Sequence, residues 1–237
     1  MQALDFSPQQ TAALPGSKKF PFALRVLTRD ADRSEIFALR YRAYRDSTCI
    51  PLNPKEQYSD SYDELASTVV IAAYDANVCV GALRVNFSHP WQSVSTMPCA
   101  ASFADVAKLK ASTSGSLVEV SRLSIDPTIT NTSYRTTLYA SLVRAGFMAA
   151  QAANVSSILL ATKSDWIKFY QYMLGFKLVG EPAIYPPFDV PLALLAGSFG
   201  DAEKRQKSQN AFFKITDGEI ASMKAAIASA LVMPAAA

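Results

Sequence analysis

The chain has 237 residues, enough for one large domain or two small ones on a scale of about 150 residues per typical domain. Half of the residues are apolar and 18% are charged, which excludes a disordered or collagen-like chain. Basic side chains number 23 against 20 acidic ones, and the resulting net charge of +3 is too small to argue for nucleic acid.

Residues 1–20 mix polar residues, Pro and Gly without a period and predict a loose arm. Phe22–Thr28 predicts a short strand, after which Asp30 or Asp32 caps a helix running to about Arg45. Residues 46–66 form a long loop, and a loop of that length in a compact domain is usually functional. Thr68–Tyr74 and Val78–Phe87 predict a hairpin joined by Asp75-Ala76-Asn77. Residues 88–116 are irregular, with one helix over Phe103–Lys110. Leu117–Ile125 is the clearest strand; Asp126-Pro127 stops it, and Thr132 or Ser133 opens a helix to about Ala153. Val155–Ala161 predicts a buried strand, Asp165–Leu174 a short helix and Gly175–Gly180 another strand. Asp201–Asn210 reads as a solvated polar segment, and Thr216-x-x-Glu219 is a capping box opening a last helix with Ile220, Met223, Ile227 and Leu231 on one face. This order predicts an α/β or α+β layered sheet, with an arm over 1–20, a main domain over 21–200 and a helical extension over 201–237.

The informative residues are charges inside apolar stretches. Arg40 lies four residues from both Ile36 and Tyr44, on the apolar face of its helix. Arg84 sits in the strand Val-Gly-Ala-Leu-Arg-Val, Glu119 and Arg122 sit in Leu117–Ile125, and Asp60 and Asp63 share the long loop. An isolated buried charge is prohibitively costly, so these groups pair with one another or handle a ligand. Glu119 and Arg122 are three apart, which puts them on opposite faces of a flat strand. A β-bulge would bring both to one side and splay the strand from Val155–Ala161.

Three cysteines (Cys49, Cys79, Cys99) in no C-x-x-C pairing and a single His89 argue against a metal site. The odd cysteine number and the lack of a secretory leader predict a reducing cytoplasm. The longest apolar runs, such as Pro191–Gly197, fall far short of the about 20 residues a membrane span needs.

The stretch Glu119-Val-Ser-Arg122-Leu-Ser-Ile-Asp-Pro, followed by a helix, a strand and Phe169-Tyr170-x-x-x-Leu-Gly175-Phe176, resembles the GNAT-like acyltransferases over about residues 20–190. Arg40 with Tyr44, the Asp60-x-x-Asp63 loop, Arg84 and Glu119-x-x-Arg122 are similar to the charged set of the LuxI-type acyl-homoserine-lactone synthases. The segment Asp46-Ser-Thr-Cys-Ile-Pro departs from that group by lacking a Trp, and the chain is longer. Together with Leu174–Pro187, these departures resemble the FeeM-type long-chain N-acyl amino acid synthases. Asp126–Arg135 lacks the glycine loop that would cradle a pyrophosphate at a helix N-terminus.

The resemblance implies a mixed sheet with a splayed, bulged central strand, and transfer of an acyl group to an amino acid's α-amine. It also implies no bound cofactor, the acyl-phosphopantetheine being supplied by an acidic acyl carrier protein, for which Arg135, Lys163, Lys168 and the Lys204–Lys207 run are the candidate docking charges. Glu119 is the expected general base, directly or through a water. Backbone N–H groups near Arg122–Ser124, Leu123 included, are the expected oxyanion donors, with Ser121 beside them. Arg40, Arg84 and Arg122 are the candidate forks for the acceptor's carboxylate, with at least one pairing with Asp60 or Asp63 to fix the loop. Tyr170 resembles the tyrosine that protonates the leaving thiolate. A long tail needs an apolar tunnel, expected along Val69, Ile71, Leu83, Val85 and Phe103, with Leu142, Phe147 or Met148 closing it. The alternatives are a lactone synthase using S-adenosylmethionine, an acetyl-CoA acetyltransferase, and a non-catalytic acyl-binding domain of the same fold.

Overall fold

Residues 11–13, 22–27, 31, 33–47, 49–89, 91–113, 116–209 and 211–231 are described in a computed structural model. The elements run β1 (Thr11–Ala13), β2 (Ala23–Leu27), α1 (Ser34–Asp46), β3 (Thr68–Asp75), β4 (Val78–Ser88), α2 (Asp105–Ser112), β5 (Leu117–Ile125), α3 (Thr132–Ala152), β6 (Ser157–Thr162), α4 (Ile167–Leu174), β7 (Lys177–Leu178), β8 (Ala183–Ile184), β9 (Pro191–Ser198), α5 (Phe199–Gln209) and α6 (Asp217–Leu231). Among the described residues the strands form one mixed sheet in the order β1-β2-β3-β4-β5-β6-β9-β7, with β8 on the side of β9. Every pairing is antiparallel except β5 with β6, which α3 connects.

Strand β3 is apolar almost throughout because both of its faces are covered. Val69, Ile71 and Ala73 join Leu138 and Leu142 of α3 and Met223 and Ile227 of α6 in one cluster. Val70 and Ala72 point the other way, into a cluster with Ile36 and Leu39 of α1. Strand β4 follows the same parity: Leu83 and Val85 lie with α3, and Ala82 lies with α1. Arg84 therefore emerges on the α1 face, where Arg40 is also buried. The hairpin between β3 and β4 closes with Ala76 and Asn77 both at positive φ, as a two-residue turn matched to strand twist requires.

Helix α4 ends at Gly175, whose left-handed backbone lets its N–H reach the Gln171 carbonyl at 3.0 Å. Gly197 on β9 is required by a close approach: an added Cβ would stand 2.3 Å from a ring carbon of Phe176. Helix α6 opens on the expected capping box, with Thr216 N–H donating to Glu219 at 2.9 Å and Glu219 N–H to Thr216 Oγ1 at 3.3 Å. Arg144 of α3 locks it in place through both Glu219 oxygens, at 2.8 and 2.9 Å, and through the Phe212 and Lys214 carbonyls.

Several elements differ from their sequence-based expectation. Within the arm over 1–20, Thr11–Ala13 pairs with β2 as an edge strand, and the remainder lies outside the described residues. Helix α1 starts at Ser34 with no side-chain cap, while Asp30 and Asp32 are outside the described residues. Asn131, immediately before Thr132, caps α3 by accepting from the Tyr134 N–H at 2.9 Å. The strand expected over Gly175–Gly180 shrinks to Lys177–Leu178. The apolar run Pro191–Gly197 lies in a strand, Pro191–Ser198, between β6 and β7, and its continuous buried stretch Leu192–Ala196 carries no period to announce it. The segment Asp201–Asn210 is largely helix, seated by Ala202 in the main core. No helix among the described residues is long and apolar enough to cross a membrane.

Candidate active site

The site begins with one extra residue in β5. Ala82 faces Ser124 and Arg84 faces Ser121, so β5 advances three residues while β4 advances two. The surplus falls at Arg122, whose φ is +55°, a conformation that costs a non-glycine residue about 1–3 kcal/mol. Pairing of β5 with β6 covers Leu117–Glu119 only, so the strands part at the bulge as expected. The bulge also reverses the alternation. Val118 and Val120 face α3; past the bulge Leu123 takes that side, and Arg122 turns to the face of Glu119.

On that face the charges are neutralised by one another. Arg40 donates through Nη1 to both oxygens of Asp63, at 2.8 and 2.9 Å, and neither side chain is exposed. Arg84 reaches Asp60 at 2.5 Å and Asp63 at 3.3 Å, and its Nε donates to Ser121 Oγ at 3.3 Å. Arg122 takes the other oxygen of Asp60 at 2.7 Å and donates to the Pro186 carbonyl at 2.9 Å. Asp60 and Asp63 are fixed in turn by a capping box at the 3-10 turn Ser61–Glu64, with the Tyr62 N–H on Asp60 and the Asp60 N–H on Asp63. Burial pushes the Asp60 carboxyl up, but the Arg84 and Arg122 guanidiniums outweigh it and bring it from 3.8 to about 2. All three arginines thus pair with the loop, where the expectation was at least one. The three guanidiniums share the two loop carboxylates, and Glu119 is a third carboxylate on the same face.

Of the three guanidiniums, Arg122 is the one on the cavity wall; Arg40 and Arg84 stand behind it. It lies 5.2 Å from the ring centres of Tyr58 and Tyr185 and 5.5 Å from that of Phe188, an aromatic collar suited to a cation. The cavity holds about 320 Å³ and opens between β5 and β6. Val120–Leu123 form one lip and Leu160–Lys163 the other. Its inner wall is apolar, from Gly146 and Phe147 of α3 with Ile158, Phe176 and Leu192, while Ser47, Lys163 and Trp166 stand at the rim. Ser121 and Leu123 line it; Asp60 and Asp63 do not.

The tunnel residues expected from sequence are corrected here. Only Phe147 of that set borders the cavity. Val69, Ile71, Leu83, Val85, Leu142 and Met148 fill the main core, and Phe103 a second core with Leu117 and Tyr185. Most of them do lie on the α3 face, but the gap opens where β5 leaves β6 and not under β3 and β4.

Glu119 is 0% exposed and does not border the cavity. Its Oε2 accepts from the Cys99 N–H at 2.8 Å and its Oε1 from the Tyr185 hydroxyl at 2.6 Å. Tyr170 does border it, and its hydroxyl shares a 2.7 Å hydrogen bond with Tyr139. Burial pushes the Tyr170 hydroxyl up, partly offset by the Tyr139 bond, so it is a protonated donor. Lys163 is at the rim and Lys168 is exposed on α4, whereas Arg135 donates to the Asp126 and Ile129 carbonyls and ties the loop before α3. His89 stacks on Trp91 at 4.9 Å, away from the cavity. Cys49, Cys79 and Cys99 are free, buried and not on its wall.

Sequence reasoning missed the aromatic members of the site: Tyr58, Tyr139, Tyr185 and Phe188. Tyr185 was visible only as part of the Leu174–Pro187 motif, and Tyr58 stands two residues before Asp60 with no pattern to single it out.

Residues 35–198 match the family described as N-acyl amino acid synthase FeeM. In structure the chain is similar to FeeM, an N-acyl amino acid synthase from uncultured soil microbes, at 15% identity and TM-score 0.63, covering 80% of this chain and 98% of that one. It is also similar to BjaI, a CoA-dependent acyl-homoserine lactone synthase solved with SAM and isopentyl-CoA, at 15% identity and TM-score 0.53, covering 83% and 96%. The acyl-homoserine lactone synthase LasI matches at 13% identity and TM-score 0.52, covering 75% and 90%. At these identities the structural matches show a shared GNAT-like fold. No curated protein matches the sequence.

Proposed function

The chain belongs to the N-acyl amino acid synthase FeeM family, whose match spans residues 35–198, and it is an acyltransferase; from that premise we propose that it moves a long-chain acyl group from acyl carrier protein to the α-amine of an amino acid. The observation that carries this reading is the cavity at the β5–β6 split, apolar along its inner wall and bounded at the bulge by a guanidinium. A thioester lying in the V would meet the backbone of Arg122–Ser124, where strand pairing is interrupted and N–H groups are suited to a developing oxyanion. Arg122 receives the acceptor's carboxylate, its aromatic collar lowering the competition from water. Arg40, Arg84, Asp60 and Asp63 hold the loop that positions Arg122. Glu119 is the base for the amine, and Tyr170, held by Tyr139, protonates the leaving thiolate. Lys163 and Lys168, on the rim and the helix beside it, meet the acidic carrier, with Arg135 and the Lys204–Lys207 run as further candidates. The reading supplies no cofactor beyond the carrier's own phosphopantetheine and puts the reaction in the cytoplasm, where such carriers work.

The test is mass spectrometry of reactions containing acyl carrier protein loaded with long-chain acyl groups and a mixture of amino acids. An open-chain N-acyl amino acid, formed faster from the carrier than from acyl-CoA and more slowly as salt rises, is the expected result. Lys163→Glu or Lys168→Glu should raise KM for the carrier more than it lowers kcat. A lactone and methylthioadenosine from S-adenosylmethionine, or equal use of acyl-CoA at every salt concentration, would overturn the assignment.

A further inference from the structure

We propose that the Tyr185 hydroxyl is the group that meets the attacking amine, and that Glu119 is the final proton acceptor, reached only through Tyr185. The inference rests on the acyl-transfer reading above. Its geometry does not. Glu119 has no exposed surface and does not border this cavity, and both of its oxygens are engaged. On one side the Cys99 N–H, in the 3-10 turn Pro98–Ala101, holds Oε2 at 2.8 Å and fixes the carboxylate's rotation. On the other the Tyr185 hydroxyl donates to Oε1 at 2.6 Å, short for a neutral donor and in keeping with a charge-assisted bond. Tyr185 is itself 3% exposed, yet it lies on the cavity wall beside Arg122. Of the two groups that hold Glu119, only Tyr185 also belongs to the cavity wall, which makes it the link between the cavity and the carboxylate.

The chemistry of the pair suits that order. Burial, reinforced by the Glu119 carboxylate, pushes the Tyr185 hydroxyl well up, so it rests protonated and pointing at its acceptor. Its oxygen retains a lone pair for an N–H from the cavity side. The Arg122 guanidinium, 5.2 Å from the ring centre, keeps the acceptor's carboxylate on the same side of the ring.

The step balances as follows. The neutral amine's electron pair forms the C–N bond to the thioester carbon as the C=O π pair moves to oxygen, and that pair re-forms the carbonyl when sulfur leaves. An N–H bond of the resulting ammonium breaks, leaving its pair on nitrogen; its proton goes to Tyr185 Oη as the tyrosine's own proton goes to Glu119 Oε1. The C–S bond breaks with its pair on sulfur, and the thiolate takes a proton from Tyr170. When product leaves, the proton on Glu119 returns through Tyr185 to solvent and Tyr170 regains one from solvent. No tyrosinate forms at position 185 at any stage.

The experiment compares wild type with Tyr185→Phe, Glu119→Gln and the double variant, in steady-state assays with acyl carrier protein thioester and amino acid, with thermal melting alongside. In a relay each single variant loses kcat about 100- to 1,000-fold with KM for both substrates within threefold, and the double variant is no worse than either single one. Tyr185→Phe leaves Glu119 Oε1 without a donor and is expected to melt lower; Glu119→Gln keeps a partner for both neighbours, so its loss of kcat with folding intact is the arm that packing cannot mimic. Losses that multiply in the double variant, a change confined to KM, or a Tyr185→Phe enzyme within threefold of wild type would overturn the relay while leaving the acyl-transfer reading intact. A wild-type protein that forms no amide from any donor would overturn both.

Discussion

Asp60→Asn removes one of two negative charges set against three buried or nearly buried guanidiniums, and it does so without changing the side chain's shape. In the folded protein burial raises the Asp60 carboxyl, but Arg84 and Arg122 outweigh it and the value falls from 3.8 to about 2, which is worth about 2.4 kcal/mol of stability. The side chain is 19% exposed, so solvent screening is modest. Arg122 would keep the Pro186 carbonyl and the Tyr58 hydroxyl but lose its ion pair, and breaking a buried pair from one side typically costs about 3–5 kcal/mol. The expected loss at pH 7 is therefore about 2–5 kcal/mol, read by urea denaturation.

The sign of the pH dependence follows from the depressed value. The folded carboxyl titrates below the unfolded one, so its contribution is fully present above about pH 5 and fades as pH falls through 3.8 toward 2. Roughly half of it remains at pH 3, and the gap between wild type and variant should narrow there by about 1 kcal/mol. Asp165→Asn, an exposed carboxylate, serves as control and should stay within about 0.5 kcal/mol of wild type. If Asp60→Asn tracked that control at both pH values, the charges on the α1 face would not hold one another in the way described.

Gly146→Leu should shift the preferred donor to shorter acyl chains, because Gly146 is on the cavity wall and each methylene excluded weakens binding by about 0.8 kcal/mol, roughly fourfold; an unchanged preference in a folded variant, measured by competition between acyl lengths, would move the acyl chain elsewhere. Arg144→Met should cost about 1–3 kcal/mol and speed hydrogen exchange in α6 ahead of the sheet, since it removes the guanidinium's bonds to the Glu219 carboxylate and to the Phe212 and Lys214 carbonyls together; uniform exchange across α3 and α6 would contradict that anchoring role.

Glu119 and Arg122 announced the bulge, because three-residue spacing is wrong for a shared strand face and two charges in one apolar strand need a common destination. Arg40 was legible for the same reason, as a charge on the helix face that carries Ile36 and Tyr44. Local patterns of that kind reveal which face a residue takes. They do not reveal where two faces fail to meet. Val69, Ile71, Leu83 and Val85 do face α3, yet that interface is filled, and the opening lies past Glu119 where β6 turns away. Tyr185 could not be read either. It meets Glu119 across 66 positions of chain, and what selects it is the route of the segment before β9, not its neighbours in sequence.

The bulge joins the parts of the site into one arrangement. One surplus residue at Arg122 ends the ladder with β6, which opens the cavity, and reverses the alternation, which sends Leu123 to the cavity wall and Arg122 to the loop carboxylates. The left-handed backbone at Arg122 costs about 1–3 kcal/mol and would relax if the side chain had nothing to reach. It has Asp60 at 2.7 Å and the Pro186 carbonyl at 2.9 Å, and Asp60 is itself held through the capping box that Asp63 completes with Arg40. The ion pairs thus stabilise a strained backbone rather than add to a relaxed one. Arg40 and Arg84, which do not border this cavity, would accordingly serve the proposed chemistry by keeping β5 bulged, and with it the V proposed for the thioester.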